Sequence, residues 1–360
     1  MNRIHNPLGT PGSLNVDDIK WEEQKATPGK NTRKYPVPVI KGTVEPGAEE
    51  IWKKYYALLF LHFHLLNRFK KNAKEVKTYA RNFYDYFYID ENEVDKKKLL
   101  TLLTCDPREE PSWKKDDSKE ANDAIEKVFN YEYLTSKYRN EFADFIQALG
   151  VDVCPYCGRA FTTTVKKKKE GFVRANQVDH YYPRSKYPWL ALSIWNLIPA
   201  CGPCNNLKSD DTDPFLYPYT EEMGDIYRFC THPVKGVGYL VGARDSETDY
   251  NLALELISKG KKEPEYFERA ENEIGKLNIN DLYSVHNKYV CDIFRQRYIF
   301  GLPYIDDLVS SFPELFPSRE DVRAMLYMKS ITVEDIGSNP LDKLTRDINN
   351  EINQLTGEEI

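Results

Sequence analysis

The sequence predicts an α+β protein in which a small core, stapled by cysteines, is embedded in mainly α-helical flanking regions. Two Cys-x-x-Cys pairs, separated by 43 residues, lie near the middle of the 360-residue chain. On both sides of them, apolar residues recur at the three- and four-residue spacing of a helix. We therefore divide the chain into four parts. They are an extended N-terminal arm (1–45), a helical region (46–150), the central core (151–215) and a mainly helical C-terminal region (216–360).

The composition and the apolar stretches indicate whether the chain is globular, membrane-spanning or secreted. The chain is 41% hydrophobic and 29% charged, which is typical of a globular protein. Its longest apolar stretch, residues 57–66, is too short for the ~20 residues that a membrane helix needs. Residues 1–13 lack the apolar run of a secretion signal. We therefore expect a cytoplasmic protein without a membrane segment, in which paired cysteines bind metal rather than form disulfides.

The N-terminal arm is predicted from the absence of a periodic apolar pattern, and the first helix from its presence. Residues 1–45 are rich in proline and glycine and show little periodicity, so we expect an extended arm that lies on the body or on a partner. From about Ala48, apolar residues recur at alternating steps of four and three, which predicts one apolar face of a helix. The residues of this face are Trp52, Tyr56, Leu59, Phe63 and Leu66.

Further elements flank the core. Helices are predicted over about 118–129 and from near Ser136 to a stop at Gly150. Residues 236–242 (GVGYLVG) are predicted to form a turn between short strands, because no helix with phosphate-binding residues follows them. Farther along, Ser318 is predicted to cap a helix over 319–329.

The two cysteine pairs predict a closed zinc site. Each of the pairs Cys154/Cys157 and Cys201/Cys204 places two thiolates on one side of a tight turn. Two such turns complete the tetrahedral Cys₄ set of a structural zinc, which has no open position for a substrate. The alternatives are a redox disulfide or thiols without a joint role. The remaining cysteines, predicted to be packing residues, are Cys105, Cys230 and Cys291.

Charge is distributed unevenly along the chain. The window Cys154–Asp210 carries a net charge of +6, whereas the rest of the chain carries −12. A basic island in an acidic protein is a possible binding surface for a polyanion. The alternative is a solvated loop, because four of the basic residues are the consecutive lysines 166–169.

The same window contains residues suited to phosphodiester chemistry. His180 is its only histidine, and an ordinary pKa of about 6.5 leaves it mostly neutral near pH 7. Asp179 and Asn205 offer the hard oxygen ligands that Mg²⁺ or Mn²⁺ prefers. On a regular strand Asp179 and His180 would face opposite sides, so we expect the strand to bend or end there. Taken singly, Asp179-His180 is more readily a surface pair and Asn196 a turn residue; the combination favours a site.

This arrangement resembles the catalytic core of the HNH endonucleases, the ββα-metal nucleases. The family often has histidine at the third catalytic position, where this chain has Asn205, and the adjacent Asn206 leaves the choice between the two open. The resemblance covers residues 154–210. The matching residues are, in order, Asp179-His180 with Pro183, Asn196-Leu197-Ile198-Pro199, and Cys204-Asn205 with Lys208.

The resemblance implies hydrolysis of DNA or RNA with a single catalytic metal ion. His180 is then the general base, Asn196 orients its imidazole, and Asp179 and Asn205 hold Mg²⁺ or Mn²⁺. The products carry 5′-phosphate and 3′-hydroxyl ends. The residues expected to bind substrate are Lys208 on the helix that Asn205 begins, Arg184 and Lys186, with Lys166 to Lys169 and Arg174 along the phosphate backbone.

Longer stretches resemble HNH proteins of bacterial anti-phage systems such as Septu. They are CPYCGRAF, DHYYPRSKYPWLALSIWNLIPACGPCNNLKSD and the later LDKLTRDI. This resemblance implies an effector nuclease beside an SMC-like, ABC-type ATPase, which would be a separate chain because this one has no Walker motif. Two other hypotheses remain open: a catalytically silent, zinc-stapled nucleic-acid-binding module, and an interaction subunit whose zinc core is only a scaffold. Divalent-metal binding by Asp179 and Asn205 distinguishes the nuclease from both.

Overall fold

The computed structural model describes residues 19–23, 36–40, 48–167, 171–258, 260–327 and 337–357. Most of the predicted N-terminal arm (1–45) lies outside these residues. Within it, strands β1 (Ile19–Glu23) and β2 (Pro36–Ile40) pair antiparallel. Lys168 and Lys169, two of the lysines predicted to follow a phosphate backbone, also lie outside the described residues.

The region before the core is helical, as predicted. Helix α1 begins at Ala48, and Ser118 caps α4 by accepting a hydrogen bond from the backbone N–H of Ala121 at 3.3 Å. The elements of this region are α1 (Ala48–Tyr79), α2 (Arg81–Phe87), β3 (Tyr88–Asp90), β4 (Glu93–Val94), α3 (Lys96–Thr104), α4 (Lys119–Phe129), α5 (Tyr131–Lys137) and α6 (Arg139–Ala148).

The helix predicted from Ser136 to Gly150 begins elsewhere. Ser136 lies inside α5, and the chain leaves helical geometry at Tyr138 (φ −112°, ψ 45°) before α6 begins at Arg139. No proline or glycine marks this break, which is why the apolar pattern did not reveal it. The predicted stop is confirmed, because Gly150 follows the helix with φ +64°, a conformation that glycine adopts without steric cost.

The central core has the strand–strand–helix order of a ββα-metal fold. Strand β7 (Gln177–His180) pairs antiparallel with β8 (Leu197–Ala200), and α7 (Gly202–Lys208) follows at once. His180 is the last residue of β7, so the strand ends at the Asp179-His180 pair as expected. A separate hairpin, β5 (Thr164–Lys166) with β6 (Phe172–Arg174), precedes this unit.

The C-terminal region combines one hairpin with helices. Residues 236–242 lie in the connection between the antiparallel strands β9 and β10, which confirms the predicted turn between strands. Ser318 caps α12, its hydroxyl accepting a hydrogen bond from the Asp321 N–H. The elements are β9 (Tyr227–Pro233), β10 (Tyr250–Leu256), α8 (Pro264–Lys276), α9 (Ile279–Ser284), α10 (Asn287–Ile299), α11 (Leu302–Ser311), α12 (Arg319–Tyr327) and α13 (Asp342–Thr356).

One continuous hydrophobic cluster connects these regions. It runs from Leu65 on α1 to Ile352 on α13 and includes the four paired cysteines. Packing therefore continues across the boundaries predicted near residues 150 and 215, and the division into four regions stays a prediction. Within the part of the chain that the structure describes, none of the helices combines the length and apolarity needed to cross a bilayer.

Candidate active site

The four paired cysteines form one buried cluster with the dimensions of a zinc site. Their sulfur atoms all lie within 4.8 Å of one another, and the Sγ atoms of Cys157 and Cys201 are 3.8 Å apart. A tetrahedron with Zn–S bonds of about 2.3 Å has sulfurs about 3.8 Å apart. The Arg159 backbone N–H also donates to the Cys157 sulfur at 3.4 Å. The cluster therefore fits a structural zinc ion.

His180 is held at the end of β7 by one backbone acceptor. Its Nε2 lies 3.0 Å from the carbonyl oxygen of Ala191, and the Tyr131 ring stands edge-to-face against the imidazole at 4.7 Å between centroids. A carbonyl only accepts hydrogen bonds, so Nε2 carries the proton and the lone pair of the neutral ring is on Nδ1. The pKa of His180 is lowered to about 4, mainly by burial, with a smaller lowering by the charges of Arg184 and Lys208 and an opposing, raising effect of the Ala191 bond.

Asn196 positions the histidine indirectly. Its side-chain Nδ2 donates to the carbonyls of Tyr182 (3.1 Å) and Leu190 (3.0 Å), and its Oδ1 accepts from the Tyr182 N–H at 2.8 Å. The imidazole is bonded to the Ala191 carbonyl, and the hydrogen bonds of the Asn196 side chain go to the backbone, so Asn196 does not contact the ring that it was expected to orient. The fully buried Asn196 instead ties together both ends of the loop that presents the Ala191 carbonyl.

Asp179 is almost completely buried and has two partners. Its Oδ2 accepts from the Tyr156 hydroxyl at 2.6 Å and lies 3.1 Å from Lys208 Nζ. Lys208 also donates to the His180 carbonyl at 2.8 Å. Burial raises the pKa of Asp179, while the Lys208 charge and the Tyr156 hydroxyl oppose that rise. Because the Lys208 side chain is only 2% exposed, it orients Asp179, which corrects the expectation of a phosphate contact.

Asn205 is the middle residue of α7 and not its first residue as expected, and it is oriented by Gln177. Its Nδ2 donates to Gln177 Oε1 at 2.7 Å, which leaves the amide oxygen as the free end of the side chain. Gln177 and Asp179 are two residues apart on β7 and therefore share one face of the strand. Asn205 is half-buried and Asn206 is exposed.

A cleft of about 470 Å³ brings several of the predicted residues together. Its walls include Asp179, His180, Asn205 and Arg184, but neither Asn196 nor the buried Lys208. Lys186 is exposed and lies outside this wall. Arg174 does not line it either. The cleft therefore brings together the histidine, both of the predicted oxygen ligands and one guanidinium.

Arg184 already has an anionic partner at the edge of the cleft. Its guanidinium donates to Glu132 Oε1 at 2.8 Å and lies 5.4 Å from the centre of the Tyr131 ring. Both partners belong to α5, which the break at Tyr138 separates from α6. Helix α5 therefore supplies a carboxylate to the Arg184 guanidinium and an aromatic ring to the His180 imidazole.

The central segment was compared with known proteins. The family model of the HNH endonucleases matches residues 154–211. These residues form an HNH segment. Its match covers less than half of the chain and so identifies this segment and not the flanking helices. No curated protein and no solved structure matches the chain at a significant level. The HNH segment indicates a nuclease, and the cysteine cluster within it a zinc-stapled one.

Sequence reasoning missed three side chains around the HNH centre. Gln177 had a visible signal, because it shares a strand face with Asp179. Tyr156 lies inside the first cysteine turn, and its bond to Asp179 depends on how that turn packs against β7. Tyr131 comes from a different helix and carried no signal in the sequence, since only the tertiary fold brings it to His180.

Proposed function

We propose that this protein is a metal-dependent endonuclease that hydrolyses phosphodiester bonds of nucleic acid, with His180 as its general base. The observation that carries the proposal is the fixed imidazole. Its Nε2 is bonded to the Ala191 carbonyl, and its ring lines a cleft that Asp179 and Asn205 also line. The HNH family match supports the same reaction.

The histidine is prepared to accept a proton. Because Nε2 is the donor in the bond to Ala191, Nδ1 is the basic nitrogen of the neutral ring. The lowered pKa, about 4, keeps the ring neutral at physiological pH. A water in the cleft within hydrogen-bond reach of Nδ1 loses its proton to His180 as it attacks phosphorus. The bond from phosphorus to the 3′ oxygen breaks, and that oxygen takes up a proton from solvent, which leaves 5′-phosphate and 3′-hydroxyl ends. Asn196 and Ala191 position the base without touching the reacting atoms.

Asp179 and Asn205 would hold the catalytic divalent cation. Both offer oxygen donors to the cleft, and oxygen is the donor that Mg²⁺ and Mn²⁺ prefer. The bonds from Tyr156 and Lys208 fix the Asp179 carboxylate but leave it lone pairs, since an ionised carboxylate has about four acceptor sites. A cation bound there stabilises charge on the phosphate and the leaving oxygen. Arg184, once released from Glu132, would contact a neighbouring phosphate.

We further propose an effector role in a bacterial anti-phage system, beside a separate SMC-like, ABC-type ATPase. This part of the proposal rests on the resemblance of residues 178–210 and 341–348 to HNH proteins of such systems. A copurification test decides it: the chain expressed with its genomic neighbours should retain an ATPase through size-exclusion chromatography. Elution of this chain by itself, together with unaltered phage sensitivity of cells carrying it, would remove this role.

The nuclease itself is tested with purified protein. Supercoiled plasmid and total RNA are incubated with Mg²⁺, Mn²⁺ or EDTA, and wild type is compared with His180→Ala. The matched control is His232→Ala, a half-exposed histidine on β9 paired with Glu255. We expect metal-dependent cleavage that His180→Ala lowers at least a hundredfold and His232→Ala leaves unchanged. Equal cleavage by wild type and His180→Ala would refute the assigned base. Binding without cleavage would favour the silent nucleic-acid-binding module.

A further inference from the structure

A second cavity lies between the helical region and the HNH segment, and its walls are aromatic. Its volume is about 150 Å³, and we call it the aromatic pocket. A cavity of about this volume holds one benzene ring, so the pocket has the size of a single planar ring system. The aromatic residues that line it and matter for the argument are Tyr86, Trp113, Tyr182, Tyr187 and Trp189.

The charges around the pocket select the kind of ligand. Lys115 Nζ lies 5.3 Å from the centre of the Tyr187 ring and 5.6 Å from that of Trp189, so the chain's own ammonium group already occupies the place of a cationic ligand. Lys98 also lines the wall, with its Nζ 4.5 Å from the Tyr86 ring centre. Glu110, whose side chain is 90% exposed, also lines the wall and lies 3.6 Å from Lys115 Nζ, and Glu109 lines it as well. Because Lys98, Arg108 and Lys115 outnumber these two carboxylates, a neutral planar ring attached to an anionic group fits the pocket better than a cation.

The aromatic pocket and the catalytic cleft share one stretch of chain. Tyr182 lines the pocket, and the next residue, Pro183, lines the cleft, as does Arg184. Consecutive Cα atoms are about 3.8 Å apart, so the two cavities adjoin each other on either side of this stretch. Tyr182 is also bonded through its backbone to Asn196, which holds the histidine loop in place.

We infer that the aromatic pocket binds a nucleobase next to its phosphate, and that the protein therefore prefers single-stranded nucleic acid. This inference rests on the proposed nuclease function and names its substrate class. A base inside a duplex has no free face, whereas an unstacked base inserts among aromatic rings, with about 1–3 kcal/mol of stacking per base. Lys115 then exchanges Glu110 for the adjoining phosphate, and a neighbouring phosphodiester lies in the catalytic cleft.

The test measures binding apart from cleavage. The protein carries His180→Ala and is kept in EDTA, and fluorescence anisotropy gives its affinity for a labelled single strand, its duplex and an abasic strand of equal length. We expect the single strand to bind about tenfold tighter than the other two. Adenosine monophosphate added as competitor distinguishes a free nucleotide from a base within a strand as the occupant, and either outcome supports the site.

Variants at Tyr187 test whether the aromatic pocket causes the tighter binding of base-bearing single strands. Tyr187→Ala should lower single-strand affinity to the abasic level. Tyr187→Phe, which keeps the ring, and Tyr298→Ala, at a 69% exposed tyrosine on α10 outside both cavities, should leave it unchanged. Circular dichroism melting checks that Tyr187→Ala is folded. Equal affinity for base-bearing and abasic strands, no binding of any of them, or an unchanged Tyr187→Ala would overturn the inference.

Cleavage by the protein with His180 intact is scored separately. Metal-dependent cleavage without base-dependent binding overturns the inference and leaves the proposed nuclease standing. Base-dependent binding that Tyr187→Ala removes, in a protein that cleaves neither strand, overturns the nuclease and leaves the pocket assigned.

Discussion

His180 illustrates how one residue is tuned by its neighbours. The sequence predicted it as the base because it is the only histidine between Cys154 and Asp210. Its tautomer and its low pKa depend on the Ala191 carbonyl and on burial beside Tyr131, and both are consequences of tertiary packing. Residue type was therefore predictable from the sequence, whereas the state of the ring was not.

The low pKa of His180 predicts the pH dependence of cleavage. A base with a pKa of about 4 stays neutral until the pH falls through 4, so the rate should be nearly constant between pH 7.5 and 5.5. Measuring the single-turnover rate from pH 4 to 8 checks this. An acid limb centred near 6.5, the ordinary histidine pKa, would show that the ring is solvated during turnover.

The same pKa shift predicts an effect on stability. The unfolded chain takes up a proton on His180 near pH 6.5, whereas the folded chain resists protonation down to about pH 4. The free energy of unfolding should therefore fall as the pH is lowered from 6.5 to 4, by about 3 kcal/mol from this group. Urea titrations at both pH values, with His180→Ala as the comparison, measure it; equal pH slopes for the two proteins contradict the assignment.

We expect that breaking the Arg184–Glu132 ion pair at Glu132 strengthens nucleic-acid binding. Glu132→Gln removes the carboxylate that occupies Arg184 and should strengthen nucleic-acid binding, whereas Arg184→Ala should weaken it. Neither change should alter the melting temperature much, since exposed ion pairs contribute about 0–1 kcal/mol. Anisotropy titrations at two salt concentrations test this, with Glu126→Gln on the neighbouring α4 as control. Weaker binding by Glu132→Gln would mean that the pair positions Arg184 for the substrate.

Lys208 shows what residue type alone cannot reveal. A lysine in a basic window was predicted to contact phosphate, but burial and pairing with Asp179 make it a positioning residue. Lys208→Met leaves a buried carboxylate without its cation and should lower the free energy of unfolding by about 3–5 kcal/mol. Lys186→Met, at an exposed lysine of the same segment, should change it little. Similar urea midpoints for the two variants would contradict the buried pair.

At the level of elements, the order of the strands and the helix in the HNH segment was predictable from the sequence. The helix that packs against them, α5, was not. Cysteine spacing and the motif residues predicted two turns, a strand end at Asp179-His180 and a helix beginning at Asn205. The strand end and the helix are present as β7 and α7, but α7 begins at Gly202, within the second cysteine turn. The break between α5 and α6 was not predicted, because apolar spacing continues through it. That break matters, since α5 carries Tyr131 to the cleft and Glu132 to the guanidinium of Arg184.

We predict that the structure of the cysteine turns depends on bound zinc, and that loss of zinc also destabilises the elements bonded to these turns. The Tyr283 hydroxyl of α9 donates to the Cys157 carbonyl at 2.6 Å, so α9 is bonded to the first turn. Cys201→Ser should abolish stoichiometric zinc, measured by plasma mass spectrometry, and raise hydrogen exchange both at residues 154–158 and in α9. Cys230→Ser, outside the cluster, is the control. Full zinc content in Cys201→Ser would refute the Cys₄ site.

At the level of the whole molecule, the HNH segment is enclosed by its flanks. Helix α13 carries Lys343, which is 3% exposed and contacts Asp347 at 2.9 Å and the carbonyls of Gly224 and Tyr227. Just before this helix, the Leu341 N–H donates to the Gly158 carbonyl beside the first cysteine turn at 2.8 Å. A motif of alternating charges such as DKLTRD usually predicts a solvated helix face, so its burial could be known only from the long-range packing.

We therefore expect a substitution in α13 to weaken zinc binding in the HNH segment. Lys343→Met removes a buried cation from Asp347 and should lower the free energy of unfolding by about 3–5 kcal/mol. We also expect zinc to be lost at a lower temperature than in wild type, followed with a chromogenic chelator during melting. Lys288→Met, at an exposed lysine of α10, is the control. Unchanged zinc release in Lys343→Met would mean that α13 and the first cysteine turn are energetically independent.

The bond between Leu341 and Gly158 also has a consequence for the order in which the protein is made. A ribosome releases the cysteine turns and His180 well before the residues of α13, and at ~5–20 residues per second the interval is on the order of ten seconds. During that interval the first turn lacks its clamp. The first turn therefore gains this hydrogen bond only after residue 341 has left the ribosome.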